Sequence, residues 1–124
     1  MTLLEDVRSK LNTAGLLSGW KCYIGYQPDD ADRSMALTYT GGFPQDTHQG
    51  ENLLLTFQLS VRAGAQEHDV CTAKWYAVFA ALQDSTDITG VSLIQAMATG
   101  PMSFRDDKNR PVMTANFRVV MANG

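Results

Sequence analysis

Apolar residues near the N-terminus recur every three or four positions, which is the spacing of one helix face. This stripe consists of Leu3, Leu4, Val7, Leu11 and Ala14. Thr2 and Glu5 have the spacing of a capping box, in which each side chain bonds a free backbone N–H of the first turn. Gly15 follows at a position where helices commonly end. The pattern predicts an amphipathic helix that ends beside Gly15.

Residues 52–63 show a different pattern, in which apolar residues alternate with mostly polar ones. The apolar positions are Leu53, Leu55, Phe57, Leu59 and Val61. A period of two predicts a strand with one face on the core. Residues 112–121 alternate in the same way and predict another long strand. Shorter strands are predicted at residues 20–26, 34–39 and 91–98.

A second helix is predicted at residues 65–82. Its apolar stripe consists of Val70, Ala73, Ala77, Val78, Ala81 and Leu82, widened by Trp75 and Phe79. Residues 41–44 read Gly-Gly-Phe-Pro and are expected to end the strand before them. Residues 101–111 contain the run Arg-Asp-Asp-Lys-Asn-Arg and are expected to form an exposed hairpin loop.

The predicted elements follow the order α-β-β-β-α-β-β. Strands joined by hairpin-length links, together with two helices, predict an α+β fold. We expect a small, mainly antiparallel sheet with the two helices packed on one face. Neither an internal repeat nor a long linker divides the chain, so residues 1–124 are expected to form a single domain.

Charge narrows the range of functions. The chain of 124 residues has 10 Lys and Arg against 13 Asp and Glu, which gives a formal net charge of −3. This balance excludes an affinity for nucleic acid that rests on bulk charge. No apolar run approaches the roughly 18 residues of a membrane-spanning helix, and the N-terminus lacks the pattern of a secretory signal. We therefore expect no membrane contact.

The sequence offers little catalytic or metal-binding chemistry. Cys22 and Cys71 are expected to be reduced thiols, because nothing marks a secreted disulfide framework. His48 and His68 lack the paired spacings of a zinc site. No motif places a Ser or Cys nucleophile beside a histidine base. We expect no catalytic residues, no metal and no cofactor.

Two predicted loops contain residues of unusual character, a group of acidic side chains in one and a large apolar side chain in the other. Asp29, Asp30 and Asp32 are grouped, but the glycine and closing glutamate of an EF-hand do not follow them. We interpret these three as a solvated acidic turn. Phe43 is a large apolar side chain in a loop, and it either covers the core or anchors an interface.

Three stretches of the chain together resemble one protein family. Residues 1–15 form an N-terminal helix that precedes a short strand. Residues 35–44 read Met-Ala-Leu-Thr-Tyr-Thr-Gly-Gly-Phe-Pro, which is similar to a strand and "TGGFP" loop of that family. Residues 100–106, 110–111 and 114–119 resemble its closing hairpin. The order resembles the tail terminator (tail completion) or minor capsid proteins of long-tailed bacteriophages over nearly the full chain.

The resemblance implies a structural virion protein with an α+β fold, without catalysis or cofactor. Six copies would form a ring on the head-proximal end of the tail tube. The ring would stop polymerisation of the major tail tube protein and give the head–tail connector protein a docking face. Genomic DNA would pass through without sequence-specific binding. Assembly would take place in the host cytoplasm, and the final location would be the tail–head junction of the virion.

A ring of identical subunits needs two different patches on each subunit. We predict one patch at the loops of residues 28–33 and 42–50, and the other at the tip of residues 103–110. The candidate interface residues are Asp29, Asp30, Asp32, Phe43, Gln45, Asp46, Arg105, Asp106, Lys108 and Arg110. Opposite charges suggest that the acidic loop of one subunit pairs with the basic residues at the tip of its neighbour.

Two other functions stay open at this point. A head–tail connector or stopper protein would also be a small ring-forming adaptor of the virion. A small enzyme or ligand-binding domain would need a polar pocket with perturbed pKa values, and no residues are evidently arranged to form one.

Overall fold

A computed structural model describes residues 3–29, 31–44, 53–86, 88, 91–97 and 100–121, with the backbone alone at 41–44, 53–54, 92 and 121. These residues form two helices and six strands. In chain order they are α1 (Leu3–Thr13), β1 (Lys21–Ile24), β2 (Ser34–Pro44), β3 (Leu53–Arg62), α2 (His68–Leu82), β4 (Val91–Ala96), β5 (Met102–Arg105) and β6 (Pro111–Met121).

All six strands belong to one sheet. Its order is β1-β2-β3-β6-β4, and β5 also pairs with β6. β1 and β2 are parallel, and every other pair is antiparallel. β4 and β5 therefore lie one after the other along the same edge of β6, because β3 occupies its other edge. The structure confirms the predicted α+β fold with a mainly antiparallel sheet.

The hydrophobic core lies between one face of the sheet and both helices. Phe57 and Phe117 occupy paired positions on β3 and β6, and their rings stack with centroids 5.3 Å apart. Phe79 of α2 lies 5.8 Å from Phe117 and 4.9 Å from Trp75, measured between ring centroids. The buried helix residues that join this cluster are Leu3, Leu4, Val7, Leu11, Cys71, Trp75, Val78 and Leu82. Both helices thus cover the same face, as predicted.

The end of α1 confirms the role predicted for Gly15. The Leu16 N–H donates to the Leu11 carbonyl at 3.0 Å, and the Gly15 N–H donates to the Asn12 carbonyl at 3.0 Å. These are the two hydrogen bonds of a Schellman motif. Gly15 has a φ of +78°, a conformation that side chains disfavour. The predicted capping box includes Thr2, which lies outside the described residues.

The strand predicted at residues 34–39 is longer in the structure. β2 continues through the Gly-Gly pair to Pro44, and a register shift between Tyr39 and Gly41 marks a bulge. Its ladder with β3 reaches the pair of Pro44 and Leu53. Main-chain pairing with a long partner strand therefore overrides the local turn preference of glycine and proline.

An additional strand lies in the segment that was expected to be a hairpin loop. β5 runs antiparallel to the start of β6, so the loop is confined to residues 106–110. Asn109 closes this turn, because its N–H donates to the Asp106 carbonyl at 2.9 Å and its φ is +62°. The predicted order lacks β5 because the charged turn dominated the pattern and concealed the alternation of Met102 and Phe104.

Helix α2 begins at His68 instead of residue 65. The residues before it form a tight turn, in which the Glu67 N–H donates to the Gly64 carbonyl at 2.8 Å. The Gly64 N–H donates in return to Glu67 Oε1 at 2.9 Å. Arg33 Nη2 lies 2.5 Å from Glu67 Oε2. The hydrogen bond from Arg33, and then that from Gly64, lowers the pKa of Glu67. The same hydrogen bonds hold the turn that precedes α2.

The stacked pair of phenylalanines predicts a large loss of stability on truncation. Phe57 is fully buried, so Phe57→Ala should lower the free energy of unfolding by about 3–5 kcal/mol in urea titrations. Phe104→Ala is the matched control for the isolated subunit, because 49% of Phe104 is exposed there; its effect on the monomer should stay within about 0.5 kcal/mol. Equal losses for the two variants would contradict this description of the core.

Candidate functional site

The two charged segments that were predicted to form separate patches meet within one subunit. Arg110 is only 4% exposed and directs its guanidinium group at three carboxylates. Its Nε donates to Asp106 at 2.9 Å, and its terminal nitrogens donate to Asp29 and, at 3.4 Å, to Asp32. Lys108 Nζ lies 2.6 Å from the second carboxylate oxygen of Asp29. We call these five residues the charge cluster.

Arg62 joins the acidic loop to the central strand β3. Its buried side chain donates from Nη2 to the Pro28 carbonyl at 2.7 Å and to the Ala31 carbonyl. Its Nε has no hydrogen-bond partner within the described chain. Burial, and secondly the positive charge of Arg110, lowers the pKa of Arg62. The carboxylates of the charge cluster therefore offset the burial of Arg110 but only part of the burial of Arg62.

Asp106 organises the turn between β5 and β6. Its Oδ1 accepts the N–H of Lys108 at 3.0 Å and the N–H of Arg110 at 2.8 Å. Burial opposes ionisation, but these hydrogen bonds and the charge of Arg110 outweigh it and lower the pKa of Asp106. Arg105 bonds the backbone instead, donating to the carbonyls of Asn109 at 2.6 Å and Ala65 at 3.2 Å. Within the described part of one subunit, Arg105 therefore bonds the backbone and not the acidic loop, and its contact with a neighbouring subunit stays a prediction.

The predicted geometry of the candidate interface needs correction. Asp29 and Asp32 form ion pairs with Arg110 of the same chain, so the acidic loop and the basic tip are not two separate patches. Charge sign in the sequence does not distinguish pairing within a subunit from pairing between subunits. The contact of these loops with a neighbour stays a prediction, but it is not required to neutralise their charges.

The structure describes only the backbone of one of the four remaining candidate residues, Phe43. Asp30, Gln45 and Asp46 lie outside the described residues. Phe43 is described as a backbone position of β2 that pairs with Leu54 of β3. It therefore belongs to a strand and not to the loop in which it was expected.

Sequence reasoning missed a group of exposed apolar side chains at the edge formed by β4 and β5. Met97, Met102 and Phe104 are 59%, 71% and 49% exposed. Met97 and Met102, with Pro101 and Asn116, border a groove of about 630 Å³ where β4 ends and β5 begins. The sequence of residues 101–105, Pro-Met-Ser-Phe-Arg, indicates this strand, because its apolar and polar residues alternate.

Other chemistry in the described chain is sparse. Cys22 and Cys71 are free, which confirms the predicted thiols, and burial raises the pKa of each to about 11. Among the residues that the structure describes, no three His, Cys, Asp or Glu side chains are grouped in a way that could hold a metal ion. Within the same residues, no helix is long and apolar enough to cross a membrane.

Fold and surface together define a small α+β protein in which a cluster of ion pairs holds two polar loops together. The family model described as "Bacteriophage tail terminator protein" matches residues 6–123. The chain therefore belongs to this family, as the sequence resemblance indicated. It is a structural component of the virion, located at the tail, and interacts with other structural proteins of the phage.

A solved structure has a similar fold. A chain of the "Virion of native gene transfer agent (GTA) particle" superposes with a TM-score of 0.72 and is 18% identical in sequence. The alignment covers 97% of this chain and 94% of that chain. At this identity the likeness shows a shared fold alone. No curated protein sequence matches the chain.

The charge cluster predicts a specific loss of stability in acid. Hydrogen bonds from Lys108, and then from Arg110, lower the pKa of Asp29 from 3.8 to about 2. Because this pKa is depressed by folding, the stabilisation is complete above the unfolded value and is lost as the pH falls from about 4 towards 2. Asp29→Asn should flatten this part of the pH profile of urea unfolding.

Asp107→Asn is the matched control for the acid profile. Asp107 lies in the turn between β5 and β6, next to Lys108. It is exposed, and no ion pair of the described chain involves it. This variant should keep the wild-type slope. An Asp29→Asn profile as steep as that of Asp107→Asn would contradict the assignment.

The planar guanidinium of Arg110 predicts that lysine cannot replace it. A single ammonium group cannot bond three carboxylates in different directions. Arg110→Lys should therefore lower the free energy of unfolding by about 1–3 kcal/mol. Arg118→Lys serves as the control, since Arg118 is exposed and its guanidinium group bonds the neutral side chain of Gln95; its loss should be below about 0.5 kcal/mol. Similar unfolding midpoints for the two variants would refute the prediction.

Proposed function

We propose that this protein closes the head-proximal end of the phage tail tube as a ring of six identical subunits. The match of residues 6–123 to the tail terminator family carries the proposal. In this role one face of the ring binds the last ring of the major tail tube protein and prevents further addition. The opposite face receives the head–tail connector protein.

The character of the charge cluster supports a structural role. The side chains of Arg110, Asp29 and Asp106 bond one another and hold two loops together. The lowered pKa values of Asp29 and Asp106 keep both carboxylates ionised and bonded to the cations of the cluster. Such a site stabilises the shape of a contact surface and performs no reaction.

Charge also supports a ring through which genomic DNA passes freely. The formal net charge of −3 opposes binding to phosphate. Arg62 and Arg110 are buried, and the latter is paired with carboxylates. These two cations are therefore withdrawn from contact with nucleic acid, which suits a passage that lets DNA move.

Tail length provides the test. Tubes assembled in cells that lack this protein should be longer and more variable than normal tails when measured by negative-stain electron microscopy. Purified protein added to growing tubes should bind one end and fix their length. The unstable variant Phe57→Ala, added at the same concentration, is the control and should leave the tubes growing.

Two results would overturn the proposal. Tubes that continue to grow with saturating wild-type protein would exclude a terminator. Tails of normal length that fail to join heads, with the purified protein binding portal complexes and not tube ends, would support the head–tail connector instead.

A further inference from the structure

The first edge of the sheet is only partly covered. β1 pairs with β2 from Ser34 to Leu37, and the Gly25 N–H donates to the Leu37 carbonyl at 2.9 Å. Within the described chain, no strand lies beside residues 38–44 of β2 on the side away from β3. An extended segment of this kind offers its main-chain groups to another strand.

The direction of these groups follows from the hydrogen bonds. The Leu37 carbonyl is bonded by the β1 side, so the main-chain groups of Leu37 point away from β3. Main-chain direction repeats every two residues along a strand, and Tyr39 therefore points the same way. The N–H and carbonyl of Tyr39 lie beyond the end of β1, at the uncovered part of the edge.

The opposite edge has one closed part and one open part. On β4, the Ile94 N–H donates to the Ser85 carbonyl at 3.0 Å, and the Ala96 N–H donates to Gln83 Oε1 at 2.7 Å. The turn after α2 thus occupies the outward amides of β4. This arrangement blocks pairing with another chain along β4.

β5 forms the open part of that edge. The Ala63 N–H donates to the Pro111 carbonyl at 3.2 Å, so Pro111 directs its carbonyl towards β3. Its partner Arg105, and Ser103 two residues earlier, therefore direct their main-chain groups away from β6. All four residues of β5 are exposed, and no further strand of the described chain pairs with it.

Exposed apolar side chains accompany both open edges. Tyr39 is 45% exposed in the uncovered part of β2, whereas the exposed Met97, Met102 and Phe104 lie at the edge of β4 and β5. Both edges therefore combine outward-pointing main-chain groups with exposed apolar side chains.

We propose that β5 of one subunit pairs with the uncovered edge of β2, residues 38–44, in a second copy of this chain, which joins their sheets. Both partner edges are present on every subunit and lie at opposite sides of one sheet. Such a contact is heterologous, so each copy can bind two neighbours and the assembly closes by rotation. The inference rests on the proposed ring and assigns its subunit contact.

A proline at position 103 tests the pairing. Ser103→Pro removes an N–H that points outward, and an edge strand tolerates proline at such a position. Ser103→Ala keeps the N–H and is the matched control. Light scattering should show rings for the wild type and Ser103→Ala, and monomers for Ser103→Pro, with the two variants having the same far-ultraviolet circular dichroism.

Hydrogen exchange on the wild type gives a readout that does not depend on a variant. The amides of Tyr39, Ser103 and Arg105 should exchange at least about tenfold more slowly in the ring than in the monomer. The Ala96 amide is the internal control, because Gln83 already bonds it. Unchanged exchange at Tyr39 and Ser103 upon ring formation would overturn the inference, whether or not Ser103→Pro folds.

The outcomes separate this inference from the proposed function. Rings formed equally by Ser103→Pro and Ser103→Ala would refute the β5 contact and leave the terminator proposal intact. A wild type that forms no ring, either in solution or on the ends of purified tail tubes, would refute both.

Discussion

Antiparallel hydrogen bonds join β3 and β6 along nearly their whole lengths, and this ladder determines where the rest of the chain lies. Because side chains alternate between faces, one register places Phe57 against Phe117 beneath the helices. The same register brings Arg62, at the end of β3, to the start of β6, beside the turn that contains Arg110. Core and charge cluster are therefore two consequences of one strand pairing.

The elements that the sequence predicted well are those with a strong internal period. The alternation in β3 and β6 and the stripe of α1 depend on local spacing, which burial against one core reinforces. β5 and the second half of β2 escaped prediction for another reason. The four residues of β5 and residues 40–44 of β2 form strands because a long partner is already in place, although Gly41 and Pro44 favour turns.

The charged residues show a sharper limit of sequence reasoning. The loops containing Asp29 and Arg110 were correctly identified as charged and opposite in sign, but the partner assigned to each was a neighbouring subunit. The two residues are 81 positions apart, and only the course of the sheet brings them together. Met102 and Phe104 were missed because exposure, unlike alternation, depends on whether another element covers the strand.

The two cysteines bear on the life of a particle outside the cell. A virion leaves a reducing compartment and persists in an oxidising one. Oxidation proceeds through the thiolate, and with pKa values of about 11 only about one thiol in ten thousand is ionised at pH 7. Cys71 is also fully buried against the Val61 carbonyl. The two thiols are thus poorly reactive at neutral pH, and they can stay reduced after the particle leaves the cell.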